Sequence, residues 1–136
     1  MNYLPPAGKH VVVATAIILS GCGKTVDLVP VRGRVTLDGK PLTVGAVMVQ
    51  PQAGPVAQAR IGADGEFCLG TYQPEDGVLP GPALVRIIAR QEITPAGGER
   101  AFGPSLIPEQ YTRFETSGLE VDVRPGMDPL DLQLTR

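Results

Sequence analysis

The chain reads as an all-β protein, a sandwich of seven short strands, and three features of the sequence predict it. Apolar residues recur at every second position in one run after another, the period of a strand with one face in a core. The 17 Gly and 14 Pro among 136 residues fall between β-branched runs, as tight turns between short strands require. No window carries apolar residues at helical spacing over the length of an amphipathic helix.

The first element is not part of the sandwich. Residues 11–19, "VVVATAIIL", form an apolar run far shorter than the roughly 20 residues that a membrane-crossing helix needs. A run of this length behind positive charge (Lys9 and the amino terminus), with no acid before Asp27, suits the apolar region of an export signal. Pro5 and Pro6 and the single Lys make an unusual start for one. The next residues, Leu19-Ser20-Gly21-Cys22, are similar to the lipobox of bacterial lipoproteins: aliphatic, small, small, cysteine. The resemblance implies diacylglyceryl transfer to the Cys22 thiol, cleavage before it, and acylation of the new amino terminus. Each buried acyl methylene contributes about 0.8 kcal/mol, and stable anchoring takes more than one chain. The expected organisation is a signal over residues 1–21, a tether over 22–28 and one β-sandwich domain over 29–136. The alternative is a buried N-terminal strand ending in a turn.

The strands follow in order. Val31, Gly33, Val35 and Leu37 alternate with Arg32, Arg34 and Thr36, and Asp38-Gly39 supplies a turn in which Gly accepts positive φ without steric cost. "GAVMVQPQ" places Val47 and Val49 on one face. "VAQARIGADGEFCLG" reads as a hairpin: Ala57 to Ile61 out, a turn at Ala63-Asp64-Gly65, Glu66 to Leu69 back. Residues 83–90 are the most apolar strand, with aliphatics on both faces (Val85 and Ile87 against Leu84 and Ile88), which predicts a central or covered strand. "LEVDV" (119–123) and "LDLQL" (130–134) alternate cleanly and are joined through "RPGMDP".

Residues 91–118 show no strand pattern and form an unusually long connection for a compact domain. "ITPAGGER" is turn-like, whereas Leu106, Ile107, Tyr111 and Phe114 suit folding back onto the sandwich. Two readings apply to this segment: a recognition loop on a rigid scaffold, or aromatics that cap an open end of the core. Tyr72, Tyr111 and Phe114 are the candidate binding residues.

Without residues 1–21 the chain loses Lys9 and its one histidine, His10, leaving 11 basic against 14 acidic residues, a net of −3. No basic block is present, which argues against nucleic acid. With Cys22 acylated, Cys68 is left without a partner. It lies opposite Phe67 and Leu69 in "GEFCLGT", and with no histidine left to act as its base once residues 1–21 are removed it reads as packing rather than as a nucleophile. Zinc ligands are lacking, and Asp38-Gly39, Asp64-Gly65 and Asp76-Gly77 lack the alternating oxygen ligands of a calcium loop. No metal, no cofactor and no catalytic residue is expected.

The stretch "VRGRVTLDGKPLTVGAVMVQP" resembles the opening of carboxypeptidase-regulatory-like and transthyretin-like domains through Gly33, Val35, Gly39, Pro41, Leu42, Ala46 and Val47. "ADGEF" and "PGPALVRI" continue the likeness, with Ala83 where that pattern usually has an aromatic. Together with the lipobox and the ending "LIPEQY…TSGLEVDVRPG…DLQL", the whole resembles small lipoproteins of planctomycete bacteria. The resemblance implies an immunoglobulin- or prealbumin-like sandwich of seven strands and no enzymatic activity. The related hydroxyisourate hydrolases use histidines and a Tyr-Arg-Gly-Ser terminus, which "LQLTR" does not match. The expected role is a non-catalytic protein-interaction or structural module of the cell envelope. It is held by Cys22 at the cell membrane or outer membrane, facing the periplasm or the surface. The alternative is a glycan-binding module, since starch-binding-like domains share this architecture; the scarcity of aromatics and absence of Trp weigh against it.

Overall fold

A computed structural model describes residues 27–136. The expected signal, Cys22 and most of the tether lie outside the described residues. The chain is all-β, with strands β1 (Arg32–Leu37), β2 (Lys40–Pro41), β3 (Ala46–Pro51), β4 (Ala57–Arg60), β5 (Glu66–Cys68), β6 (Gly81–Ile88), β7 (Arg90–Ile93), β8 (Ala101–Ser105), β9 (Leu119–Val123) and β10 (Leu130–Leu134). A single 3-10 turn, Glu109–Thr112, lies between β8 and β9.

Ten strands therefore replace the expected seven among the described residues. The seven runs expected as strands are all present, as β1, β3, β4, β5, β6, β9 and β10, but the expected hairpin over 57–69 is not: β4 pairs with β3 and β5 with β1, so the turn at Ala63-Asp64-Gly65 carries the chain from one sheet to the other. The additions are the two-residue β2 and the pair β7 and β8, which lie mostly in the segment 91–118 that showed no strand pattern. The reason is burial: no residue of β7 or β8 is buried, so no apolar period was imposed on either strand.

One sheet has β1 at its centre. β10 runs parallel along one edge of β1, and β2 and β5 share the other edge, both antiparallel. The second sheet is antiparallel in the order β4-β3-β6-β9. Val35, Phe67, Leu132 and Leu134 from the first sheet join Val47, Val49, Val85, Ile87, Val121 and Val123 from the second in one buried cluster. Burying a side chain of this size contributes about 1.5–3 kcal/mol, so this shared core is what holds two otherwise separate sheets together. Asp38 and Gly39 both take positive φ (51° and 81°) between β1 and β2, the requirement of a two-residue type I′ hairpin.

β6 is central, between β3 and β9. Its inner residues Ala83, Val85 and Ile87 are buried. Its outer face is covered only in part, because Arg86 lies between Met48 (Nε to Sδ, 3.2 Å) and the Phe114 ring (4.9 Å to its centroid), while Leu84 remains exposed. Past Ile88 the chain passes through the buried Ala89 into β7. The β7–β8 ribbon thus leaves the sandwich at the end where β3 begins. Leu106 N–H donates to the Ala89 carbonyl (2.8 Å) and closes the ribbon at its base.

Candidate functional site

The loop between β5 and β6 is shaped by one carboxylate. Asp76 Oδ1 accepts from the Thr71 N–H (2.6 Å), and Oδ2 accepts from those of Tyr72 (3.1 Å) and Gln73 (2.9 Å). Desolvation pulls the Asp76 carboxyl upward, but the N–H bonds from Thr71, Gln73, Tyr72 and its own backbone outweigh that and hold it below the usual aspartate value. The Thr71 hydroxyl donates to the Gly77 carbonyl (2.7 Å), tying the loop's two ends. The carboxylate thus does local turn work, and the loop presents Tyr72 with 63% of its surface exposed.

Tyr72 lines an open groove together with Arg32, Arg60 and Cys68. Register explains the assembly: Arg32 faces Cys68 across the β1–β5 ladder, and the Gln58–Gly70 bridge brings β4 alongside. Arg34 in the same groove pairs with Glu66 (2.9 Å). Arg32 and Arg60 have no ion-pair partner among the described residues. Such a surface offers cationic hydrogen-bond donors beside one aromatic face. Cys68 is half-buried and has no disulfide partner among the described residues.

The other two candidate residues lie elsewhere. Tyr111 is buried in the 3-10 turn, its hydroxyl accepting from Thr135 N–H (3.2 Å) and donating to the Thr135 carbonyl (3.3 Å). The N–H of Thr135 keeps its phenol below the usual tyrosine value. Phe114 is half-buried against Arg86 on the outer face of the second sheet. With Ile107 also buried, Tyr111 closes one end of the core, whereas Phe114 covers part of the outer face of the second sheet. Cys22 is outside the described residues. Among the described residues no three His, Cys, Asp or Glu side chains gather at metal-binding distance.

A surface that sequence reasoning missed is the β7–β8 ribbon. Phe102 is 75% exposed and Ile93 42%, with Glu92 opposite Phe102 and Ile93 opposite Ala101. Glu92 also pairs with Arg100 (3.4 Å). No pattern signal exists for such residues, because alternation reports burial and both faces of the ribbon are solvated.

No family model matches the chain, and no curated protein matches it. Among solved structures, a 9R-lipoxygenase from Cyanothece PCC8801 aligns with 80% of this chain at 12% identity and a TM-score of 0.39. The aligned part is 16% of that structure. A likeness this low bears on neither fold nor function.

Proposed function

We propose that this chain is a lipid-anchored envelope protein whose prealbumin-like sandwich acts by contact, as a non-catalytic interaction module. The observation that carries the reading is the placement of two features at opposite ends of the strands. The described chain enters beside Val78, where Val29 and Val78 exchange backbone bonds (2.8 Å each), close to the start of β6. The ribbon with exposed Phe102 and Ile93 leaves from the far end of β6. With an anchor at Cys22, only a few residues before Asp27, this placement supports a ribbon held on the side of the sandwich away from the bilayer and free to meet a partner. Exposed aromatic and aliphatic side chains are common anchors of protein contacts. The lipobox-like Leu19-Ser20-Gly21-Cys22 and the two sheets around a single core support the same assignment.

Two measurements test it. Intact mass of the native protein is expected to begin at an acylated Cys22, with the protein entering the detergent phase on phase partitioning. A photo-crosslinker at Phe102 is expected to capture protein in the native envelope. Retention of residues 1–21 would sink the anchor, and a crosslinker at Phe102 that captures no more than one at the solvated Glu99 would sink the contact role.

A second reading, glycan binding, is favoured by one observation: exposed Tyr72 beside Arg32 and Arg60 in the same groove. Aromatic faces stack on sugars, and guanidinium groups hydrogen-bond hydroxyls and acids. Retention on envelope polysaccharide that Tyr72→Ala abolishes would put this reading first. Tyr111→Ala is unsuitable as a probe, because Tyr111 is buried.

A further inference from the structure

We propose that the free edge of β7 pairs antiparallel with the same edge of a second copy of this chain, centred on Gln91, joining two ribbons into a four-stranded sheet. The inference rests on the interaction-module reading and names its partner.

A two-stranded ribbon is marginal by itself in water, and its unpaired backbone groups are a template for another strand. All four residues of β7, "RQEI", are exposed. β7 is also the one strand among the described residues that carries both signs of charge with a free edge. β9 holds Glu120 and Asp122, so self-pairing about Val121 would set acid against acid. β10 holds Asp131 alone, and β8 carries no charge and includes Pro104, which has no N–H to donate. β4 is bridged at Gln58 by Gly70, which exchanges both backbone bonds with it (2.9 and 3.1 Å).

Centring on Gln91 is dictated by charge. It sets Arg90 opposite Glu92 of the second copy, and by symmetry Glu92 opposite the second copy's Arg90. Within each ribbon Arg90 faces Ser105 and Glu92 faces Phe102. One row across the four strands then reads Phe102, Glu92, Arg90, Ser105, and its reverse lies on the other side of the central Gln91 row, where a bulge in β8 shifts the β7–β8 register by one residue. Opposite charges are adjacent in both rows, and both Phe102 rings lie on one face. Glu92 already has an exposed partner in Arg100 (3.4 Å), and such a contact is weak enough to be shared.

The test uses the full chain in detergent, with protein mass followed by sedimentation equilibrium. The wild type is expected to dimerise reversibly. Arg90→Glu and Glu92→Arg are each expected to weaken the dimer about tenfold, since each turns two attractive cross-strand pairs into repulsive ones. Mixed together, they are expected to form a heterodimer about as tight as the wild type, because every pair is then opposite in sign. Gln91→Cys is expected to give a disulfide-linked dimer under mild oxidation, as Cα atoms facing across an antiparallel ladder lie roughly 4.5–5.5 Å apart. Thr94→Cys, with Cys22 and Cys68 retained in both variants, sets the background. A monomeric wild type, charge variants with unchanged affinity, or Gln91→Cys crosslinking no faster than Thr94→Cys would each overturn the pairing. None of these would overturn the interaction role itself, which fails on the Phe102 crosslinking result instead.

Discussion

Ser117 shows how one buried polar side chain sets a strand's start. It is 5% exposed, donates to the Val85 carbonyl (2.5 Å) and accepts from the Leu119 N–H (3.2 Å). It thus bridges the last pair of the β6–β9 ladder, Val85 with Leu119. Ser117→Ala is expected to lower unfolding free energy by about 1–2 kcal/mol, because a buried carbonyl loses its donor; urea denaturation measures it. Asp76 makes a pH prediction. Its folded pKa is depressed, so its stabilisation is fully present above the unfolded aspartate value of about 3.9 and is lost as pH falls through the lower folded value. Urea midpoints between about pH 2 and pH 5 are expected to rise with pH in the wild type and to flatten in Asp76→Asn, which cannot hold a charge for those three N–H groups. Gly33 is a third instance of local constraint. A Cβ there would sit 2.5 Å from both the Leu130 carbonyl oxygen and Phe67 Cζ, so the close approach of β1 to β10 and β5 requires glycine. Ser117 and Gly33 stood in the sequence without any sign of these roles, since both depend on partners remote in the chain.

At the scale of elements, the contrast between β6 and the ribbon that follows it is instructive. β6 lies at the centre of its sheet with one face in the core, and its run of aliphatics on both faces made it legible as a central strand. β7 and β8 have neither face buried, and their ladder consists of backbone hydrogen bonds that any side chains permit. The ribbon therefore adds nothing to the core. Replacing Gln91–Pro104 by Asn-Gly would join Arg90 to Ser105, which already face each other, through a favoured two-residue hairpin turn. That excision is expected to shift stability by no more than about 0.5 kcal/mol, the range of surface changes, while abolishing dimerisation. A large loss in the urea midpoint would mean that the ribbon braces the sandwich. The segment after it behaves oppositely: Ile107 and Tyr111 are buried, and of the two aromatics expected to cap the core Tyr111 does so, while Phe114 lies outside it against Arg86.

For the whole molecule, the decisive contact is between the chain's first and last strands. β10 lies parallel to β1 from Gly33–Leu130 to Leu37–Leu134 and brings Leu132 and Leu134 into the core. Arg136 continues the join, its N–H donating to Asp38 Oδ1 (3.1 Å). Truncation after Pro129 removes both leucines and uncovers β1 along its length. Losing two such buried side chains costs on the order of 4–10 kcal/mol, comparable with the total stability of a small domain. The truncated chain is expected to lack a cooperative thermal transition by circular dichroism, and a preserved transition would show that the sheets hold without β10.

The sequence by itself determined the all-β class, the seven core-facing runs and most inward residues, because burial of one strand face writes a period of two into the chain; it misread the turn at Ala63-Asp64-Gly65 as a hairpin, since a turn within a sheet and a crossing between sheets carry the same residues. It also carried the lipobox-like residues, which are a local signature. Only the tertiary structure decided that β10 pairs parallel with β1, that β7 and β8 form a ribbon, that Tyr72 lines one groove with Arg32 and Arg60, and that Tyr111 points inward. Strand partners, strand direction and surface neighbours are set by contacts between residues far apart in the chain. Those contacts leave no period in either partner alone.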